Sequence, residues 1–416
     1  MRIEIVAVGS ELLTPFYQDT NSLFLTRRLN DLGLDVAQKA VVGDNVSDLS
    51  AYVRQAPERR VNLMIVMGGL GPTADDVTRE GVAEALSRKL VLDEDILKKI
   101  TERFKRRGRE MPLINKKQAY VLEGAKPLEN KNGSAPGQWI EHGPMRIVLL
   151  PGPPVELTPM FEESVWPRLA ASGRGITVRR VFKITGLTES EVDTKIRDVF
   201  PRIPELRLTI LARPGQVEVH IAAFSQEGAR DGPSALERLS RDVLDRLGKN
   251  VFSTNGEEIE EVVGTLLRRR KRTLAAAESC TGGLIASRIT DVPGSSDYFL
   301  EGSVTYSNSS KISRLEVSSE LIDAHGAVSP EVARAMAFGV RIKTGADFGL
   351  SVTGIAGPAG GTPEKPVGLV YTALAWNGGV DIEKNFFLGK RTQVKFQASQ
   401  RALDMLRRFL EDHERG

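Results

Sequence analysis

The sequence predicts an α/β chain in three parts: an α/β unit, a small α+β unit and a second α/β unit. Three observations carry this. Apolar runs of strand length alternate with stretches of helical period, and in the outer parts those runs stop at glycine-rich turns. At about 150 residues per domain, the 416 residues are also too many for one core. Alternation of this kind gives a mostly parallel sheet with helices on both faces.

Residues 2 to 8 form an apolar run closed by Gly9, and Leu25, Leu29 and Leu32 then follow at helical spacing before Gly33. Extended stretches at Val36 to Val42 and Val61 to Met67 run into Gly43-Asp44-Asn45 and Gly68-Gly69-Leu70-Gly71. Arg146 to Leu150 is one more buried strand, broken by Pro151-Gly152-Pro153-Pro154, with a helix to about Leu169, so the first domain spans 1–172. Ser172 to Gly175 is a linker. A strand at Val178 to Thr185, a helix at Glu189 to Phe200, strands at Leu206 to Leu211 and Gln216 to Ala223, and a helix at Gly232 to Leu247 make the middle domain, 173–254. The third domain, 255–416, opens with a helix and a strand, Thr273 to Ala277. Strands at Gly302 to Tyr306, Phe348 to Val352 and Gly368 to Trp376 follow, and a long helix, Gln393 to Glu411, closes it.

Composition narrows the function. With 41% apolar and 27% charged residues the chain is ordinary globular protein. Its 57 Lys and Arg against 54 Asp and Glu give no broad field for nucleic acid or anionic lipid, so neither is an expected partner. One cysteine, Cys280, cannot form an internal disulfide, and without a signal pattern or an apolar stretch of membrane length the expected location is cytoplasmic. His142, His220, His325 and His413 are too scattered for a zinc motif.

Ligands of an open parallel sheet lie beyond the carboxyl ends of its strands. Gly9-Ser10-Glu11, Gly43-Asp44-Asn45 and Gly68 to Asp76 all fall there. Glycines let backbone N–H groups approach a phosphate, and Asp75 and Asp76 offer the hard oxygens that Mg²⁺ prefers. The plainer reading makes the glycines tight turns and the aspartates a bias on the next helix. Neither the dinucleotide fingerprint nor the P-loop pattern is present.

In the third domain Ser279 sits where a strand passes into Cys280-Thr281-Gly282-Gly283 and a helix, which suits a nucleophile beside backbone oxyanion donors. Its base would be Lys311, which has Arg314 but no carboxylate within four positions, with Tyr306 as relay or substrate contact. Ser295-Ser296, Ser351, Thr353 and the loop Gly354 to Pro358 add hydroxyls and a phosphate-like turn. The plain alternatives are a helix cap for Ser279, a solvated Lys311 and a half-buried Tyr306. Cys280 is the rival nucleophile or simply a small buried thiol. The run Arg268 to Arg272 reads as a solvated, dipole-matched helix end.

The motifs Gly9-Ser10-Glu11-Leu12-Leu13, Asp19-Thr20-Asn21, Gly68 to Asp76, Gly133 to Gly137, Leu150 to Pro154, Ala277 to Gly283 and Ser351 to Pro358 resemble the bacterial competence/damage-inducible CinA family. The resemblance implies a MoaB/MogA-like N-terminal domain acting as a metal-dependent ADP-ribose pyrophosphatase, and a KH-like middle domain. It further implies an α/β C-terminal amidase domain like the PncC nicotinamide mononucleotide (NMN) deamidases, working without a cofactor. The small-molecule partners would then be NMN and ADP-ribose, and an enzyme of this type is commonly a homodimer.

By the same resemblance the catalytic positions fall on Ser279, Tyr306, Lys311, Thr353 and Ser296, with Ser279 and Ser296 both open as nucleophile and the strand-to-helix turn favouring Ser279. Cys280, Thr281, Gly282, Gly283, Asn308, Gly354, Ala356 and Gly357 would bind substrate there. In the first domain Gly9, Ser10, Glu11, Gly68, Gly69, Gly71, Thr73, Ser134, Pro151 and Gly152 would bind substrate, and Asp44, Asp75 and Asp76 a divalent cation such as Mg²⁺. Three departures stand out. Thr14-Pro15-Phe16 replaces a glycine-containing loop, Gly186 to Glu189 is not a G-x-x-G clamp, and Lys395 replaces an arginine. A non-catalytic pterin- or nucleotide-binding sensor, and an RNA-binding protein, are the competing classes; net charge +3 disfavours the latter.

Overall fold

The computed structural model describes residues 1–170, 177–199, 206–224 and 232–413. It falls into two compact units that meet in sequence at Val178 and Arg179. The expected linker, Ser172 to Gly175, lies outside the described residues.

The first unit holds β1 (Ile3–Val8), β2 (Val36–Val42), β3 (Leu63–Met67), the short pair β4 (Leu90–Leu92) and β5 (Tyr120–Leu122), then β6 (Lys126–Leu128), β7 (Gly137–His142) and β8 (Met145–Leu150). Its main sheet runs β2-β1-β3-β8-β7-β6. The first four of these are parallel. β7 and β6 are added antiparallel, through a turn at Gly143 that takes a left-handed φ of 55°. That hairpin was not expected: β7 is buried along most of its length and shows no alternation to read. β1 and β3 are buried on both faces because alternate residues feed two cores. Ile3, Ile5 and Ala7 pack with Leu25, Leu29 and Phe161, while Val6 and Val8 pack with Leu49, Val53 and Val82.

The second unit contains two sheets. β9 (Thr177–Ile184), β10 (Leu206–Arg213), β11 (Gln216–Phe224) and β12 (Val251–Ser253) are ordered β10-β11-β9-β12, covered by helices Glu189–Ile196 and Gly232–Leu247. The first helix is shorter than expected and passes into a 3₁₀ turn, Arg197–Val199; Phe200 is outside the described residues. The larger sheet is ordered β14-β13-β15-β16-β17, from β13 (Leu274–Glu278), β14 (Phe299–Val304), β15 (Phe348–Gly354), β16 (Leu369–Trp376) and β17 (Gly379–Phe386). β14, β13 and β15 are parallel; β16 and β17 are antiparallel. The edge strand β17 was not expected, since only its partly covered alternation marks it. Helices Ile259–Arg270 and Arg391–Asp412 pack one face, and Pro330–Thr344 the other.

Ser279, Tyr306 and Ile355 therefore each follow the carboxyl end of a parallel strand, on one rim of the sheet. Among the described residues no helix is long and apolar enough to cross a membrane.

Candidate active site

The loop after β13 is shaped by a buried carboxylate. Glu278, fully buried, accepts from the backbone N–H groups of Gly283 (3.0 Å), Ile285 (3.1 Å) and Ala286 (2.8 Å), so it caps the helix Leu284–Thr290 from the strand side. Gly282 and Gly283 both take left-handed φ to close the turn. Ser279 is thereby released from the capping role: its N–H donates to Val352 O (3.0 Å) as the sheet's last rung.

Its hydroxyl meets Lys311. The ammonium nitrogen Nζ lies 3.1 Å from Ser279 Oγ, 2.9 Å from Thr305 O and 3.2 Å from Tyr306 O. Lys311 is 1% exposed, not solvated, and burial pushes its pKa below the ordinary 10.5. In the neutral amine two N–H groups satisfy the two carbonyls and the lone pair is left for the Ser279 proton. Cys280 takes the plain alternative: it is buried in the apolar core, and that burial pushes its thiol up to about 12.

The expected oxyanion donors, the backbone N–H groups near Thr281 to Gly283, need correction. Gly282 N–H donates to Ser279 O and Gly283 N–H to Glu278, so neither is free. Among the described residues the Thr281 N–H donates to no protein acceptor and the Cys280 N–H approaches only its own thiol, so these two remain for that task. The Thr281 hydroxyl is buried without a partner. Tyr306 is also repositioned: its ring is exposed and its phenol oxygen accepts from Arg391 (2.8 Å), while only its carbonyl touches Lys311. Thr353 is buried at the end of β15 with its hydroxyl donated to Ala327 O (2.7 Å). Ser296 lies at the other end of the sheet. Leu274 N–H donates to Tyr298 O at the start of β13, and five strand residues at ~3.3 Å each separate that level from Ser279. One chain does not bring Ser296 to Lys311.

Two cations complete the rim. Arg391 donates to Gly357 O (2.9 Å) as well as to Tyr306, and Lys395, one helical turn on, has Nζ 3.5 Å from where a Gly282 Cβ would stand. Arg391 carried no motif signal, and it was missed because only the fold brings residue 391 beside residues 306 and 357. Asn308 lies in the first turn of the helix Asn308–Leu315 that carries Lys311, and Gly354, Ala356 and Gly357 form the loop under Arg391.

The first unit has its own cavity of about 590 Å³. Of the expected substrate positions, Gly9, Glu11, Gly68, Gly69, Gly71, Ser134, Pro151 and Gly152 line it. Ser10 and Thr73 do not; Ser10 exchanges hydrogen bonds with Asp44, and Thr73 donates to Asp76. Gly68 is required, since at φ 93° a Cβ would stand 2.2 Å from Val8 O. Behind the loop, buried Arg79 donates to Leu70 O (2.7 Å) and Gly71 O (2.8 Å).

Six carboxylates, Glu11, Asp19, Asp44, Asp75, Asp76 and Glu156, line this cavity, and among the described residues no lysine or arginine does. Asp76 is committed, accepting from Gly71 N–H (2.8 Å) and Thr73 N–H (2.8 Å). Among the described residues no three potential ligands converge on one point, so Asp44, Asp75 and Asp76 are not a preformed metal cage. The donors are of the right chemistry for a hard cation, which would need substrate oxygens to complete its shell.

Residues 256–410 match the model of the "CinA C-terminal domain", 4–171 that of the "Probable molybdopterin binding domain" and 179–253 that of the "Damage-inducible protein CinA KH domain". A "CinA-like protein" of Koribacter versatilis is 46% identical over 99% of this chain and 100% of its own length. The chain belongs to the CinA family. A second "CinA-like protein", from Solibacter usitatus, is 44% identical over 98% of both chains. The crystal structure of a competence/damage inducible protein from Agrobacterium tumefaciens is 38% identical, covers 37% of this chain and 97% of its own, and superposes with a TM-score of 0.36. The family resemblance and the expected fold, MoaB/MogA-like, KH-like and CinA C-terminal in that order, are borne out.

Proposed function

We propose that the C-terminal domain is a serine amidase that hydrolyses the carboxamide of NMN to nicotinate mononucleotide and ammonia. One observation carries the reading: Lys311, buried and short of carboxylate partners, lies 3.1 Å from Ser279 Oγ with its other two hydrogen-bond directions filled by carbonyls. Lys311 as the neutral amine takes the Ser279 proton while Oγ adds to the carboxamide carbon. The N–H groups of Cys280 and Thr281 hold the oxyanion. Lys311 returns its proton to the departing nitrogen, the C–N bond breaks, and ammonia leaves an ester on Ser279. Water, deprotonated by the same amine, then releases the carboxylate. Arg391 and Lys395 would hold the 5′-phosphate, with the Gly354 to Pro358 loop as its floor.

The first unit supports a second activity, cleavage of a nucleoside diphosphate sugar such as ADP-ribose. Its six carboxylates outnumber the cations beside them, Lys117 on the Thr73 to Asp76 loop and Arg79 behind it, and would repel a bare diphosphate and accept one neutralised by a divalent cation. Asp44 and Asp75 would hold that cation with the substrate's own oxygens, and it would supply charge neutralisation and polarisation of the diphosphate. A non-catalytic sensor remains the competing reading, and turnover decides between them. The test is ammonia release from NMN in chelator-treated buffer by the parent and by Ser279→Ala. Release by the parent alone supports the amidase; release by neither, with NMN still bound, supports the sensor.

A further inference from the structure

The basic run Arg268 to Arg272 does not simply end in solvent. Arg270 and Arg272 line a cavity of about 480 Å³ with Asp347, Trp376, Phe409 and His413. It lies where β13 and β15 begin and β16 ends, the opposite rim of the sheet from Ser279. Three rings run in a column there: Trp376 and Phe409, tilted at 45°, have centroids 4.5 Å apart, and Phe409 and His413 stack at 4.1 Å and 21°. The indole folds back over its own hairpin because Gly379 leaves room; a Cβ there would stand 2.9 Å from the ring.

The charges beside this column are unbalanced. Arg272 is neutralised by Asp347 at 2.8 Å, and Asp347 also accepts from Thr273. Arg270 reaches only a distant carbonyl, His413 O at 3.5 Å, and its Nη2 is buried with no acceptor among the described residues. Among the described residues no carboxylate pairs with Arg270, so it brings to the cavity a guanidinium charge that an entering anion would neutralise. An inorganic anion would leave the rings unused; an uncharged ring would leave the guanidinium unpaired.

We propose that this cavity binds a mononucleotide, with Arg270 on the phosphate and the base stacked on the Trp376–Phe409–His413 column. Arg270, the one lining lysine or arginine without a carboxylate partner among the described residues, suits one phosphate. The site is separate from Ser279 and does not depend on the amidase reading.

The test titrates the full chain with AMP and follows indole fluorescence. The expected result is a saturable change that Trp376→Phe abolishes while calorimetry still registers AMP binding to that variant. Arg270→Met should weaken AMP about tenfold or more, and adenosine and inorganic phosphate should each bind at least about tenfold more weakly than AMP. Arg391→Gln, which alters only the catalytic rim, should leave the response intact. Should Arg270→Met fail to fold, Arg270→Lys keeps the charge, loses the planar fork, and should bind more weakly than the parent. The proposal is overturned if AMP gives no saturable response, if the response survives Trp376→Phe, or if folded Arg270 variants bind as the parent does.

Discussion

Replacing Lys311 by methionine keeps an unbranched buried side chain and removes the nitrogen 3.1 Å from Ser279 Oγ. A positioned general base contributes about 10²- to 10⁴-fold, so kcat/KM for NMN should fall by that factor, or about 3 to 5 kcal/mol of transition-state stabilisation. Lys311→Arg should fall as far, because a guanidinium cannot give up its proton; if the residue acted only through its charge, arginine would rescue. The pH dependence has a definite sign. Burial lowers the Lys311 pKa, and the active form is the neutral amine, so parent activity should rise with pH and level off before 10.5 is reached. Stability follows the same group: between the folded and unfolded pKa values the unfolded chain binds the extra proton, so stability rises with pH there, and Lys311→Met should flatten that rise. The assay is coupled ammonia release across pH, with chemical unfolding of both proteins at the same pH values. A folded Lys311→Met keeping more than about a tenth of parent kcat/KM would refute the assignment, since a base of the weakest ordinary kind is worth about 10².

Arg391→Gln and Lys395→Gln should each raise KM for NMN about tenfold with kcat little changed, and neither should affect the riboside that lacks the phosphate; equal losses on both substrates would remove the phosphate assignment. Cys280, its thiol pushed up to about 12, should resist a thiol reagent at pH 8 in the native protein and react on unfolding, so rapid native labelling would contradict its burial. Gly68→Ala puts a Cβ against Val8 O at positive φ and should cost the first unit about 1–3 kcal/mol, seen as a lower melting midpoint, while ammonia release persists. Loss of ammonia release at temperatures where the second unit remains folded would refute that independence.

The parallel strands and their glycine-rich exits were legible because a sheet buried on both faces leaves continuous apolar runs that must stop where the chain turns. Ser279 and Lys311 were legible for a local reason: one sits at a strand-to-helix turn and the other in a stretch without carboxylates. What escaped reading is what needs three dimensions. Glu278 looked like an ordinary strand end until its oxygens met three helix N–H groups, and it is this contact that takes Gly283 out of the oxyanion hole. Arg391 is far from Tyr306 in sequence and beside it in space. Ser296 stayed open beside Ser279, which only its strand-to-helix turn favoured, and the register of β14 on β13 separates them. The antiparallel additions β7 and β17 failed for opposite reasons, one too buried to alternate and the other too exposed to stand out.

The central claim is that Ser279 carries the acyl group. Rapid acid quenching of the parent with NMN during turnover, followed by peptide mapping with mass spectrometry, tests it most directly, with hydroxylamine as a competing nucleophile to report any ester by its hydroxamate. The account expects the hydroxamate to form and the adduct to map to the peptide bearing Ser279. Hydroxamate formation with the adduct on Ser296, or undiminished hydroxamate from Ser279→Ala, would contradict it.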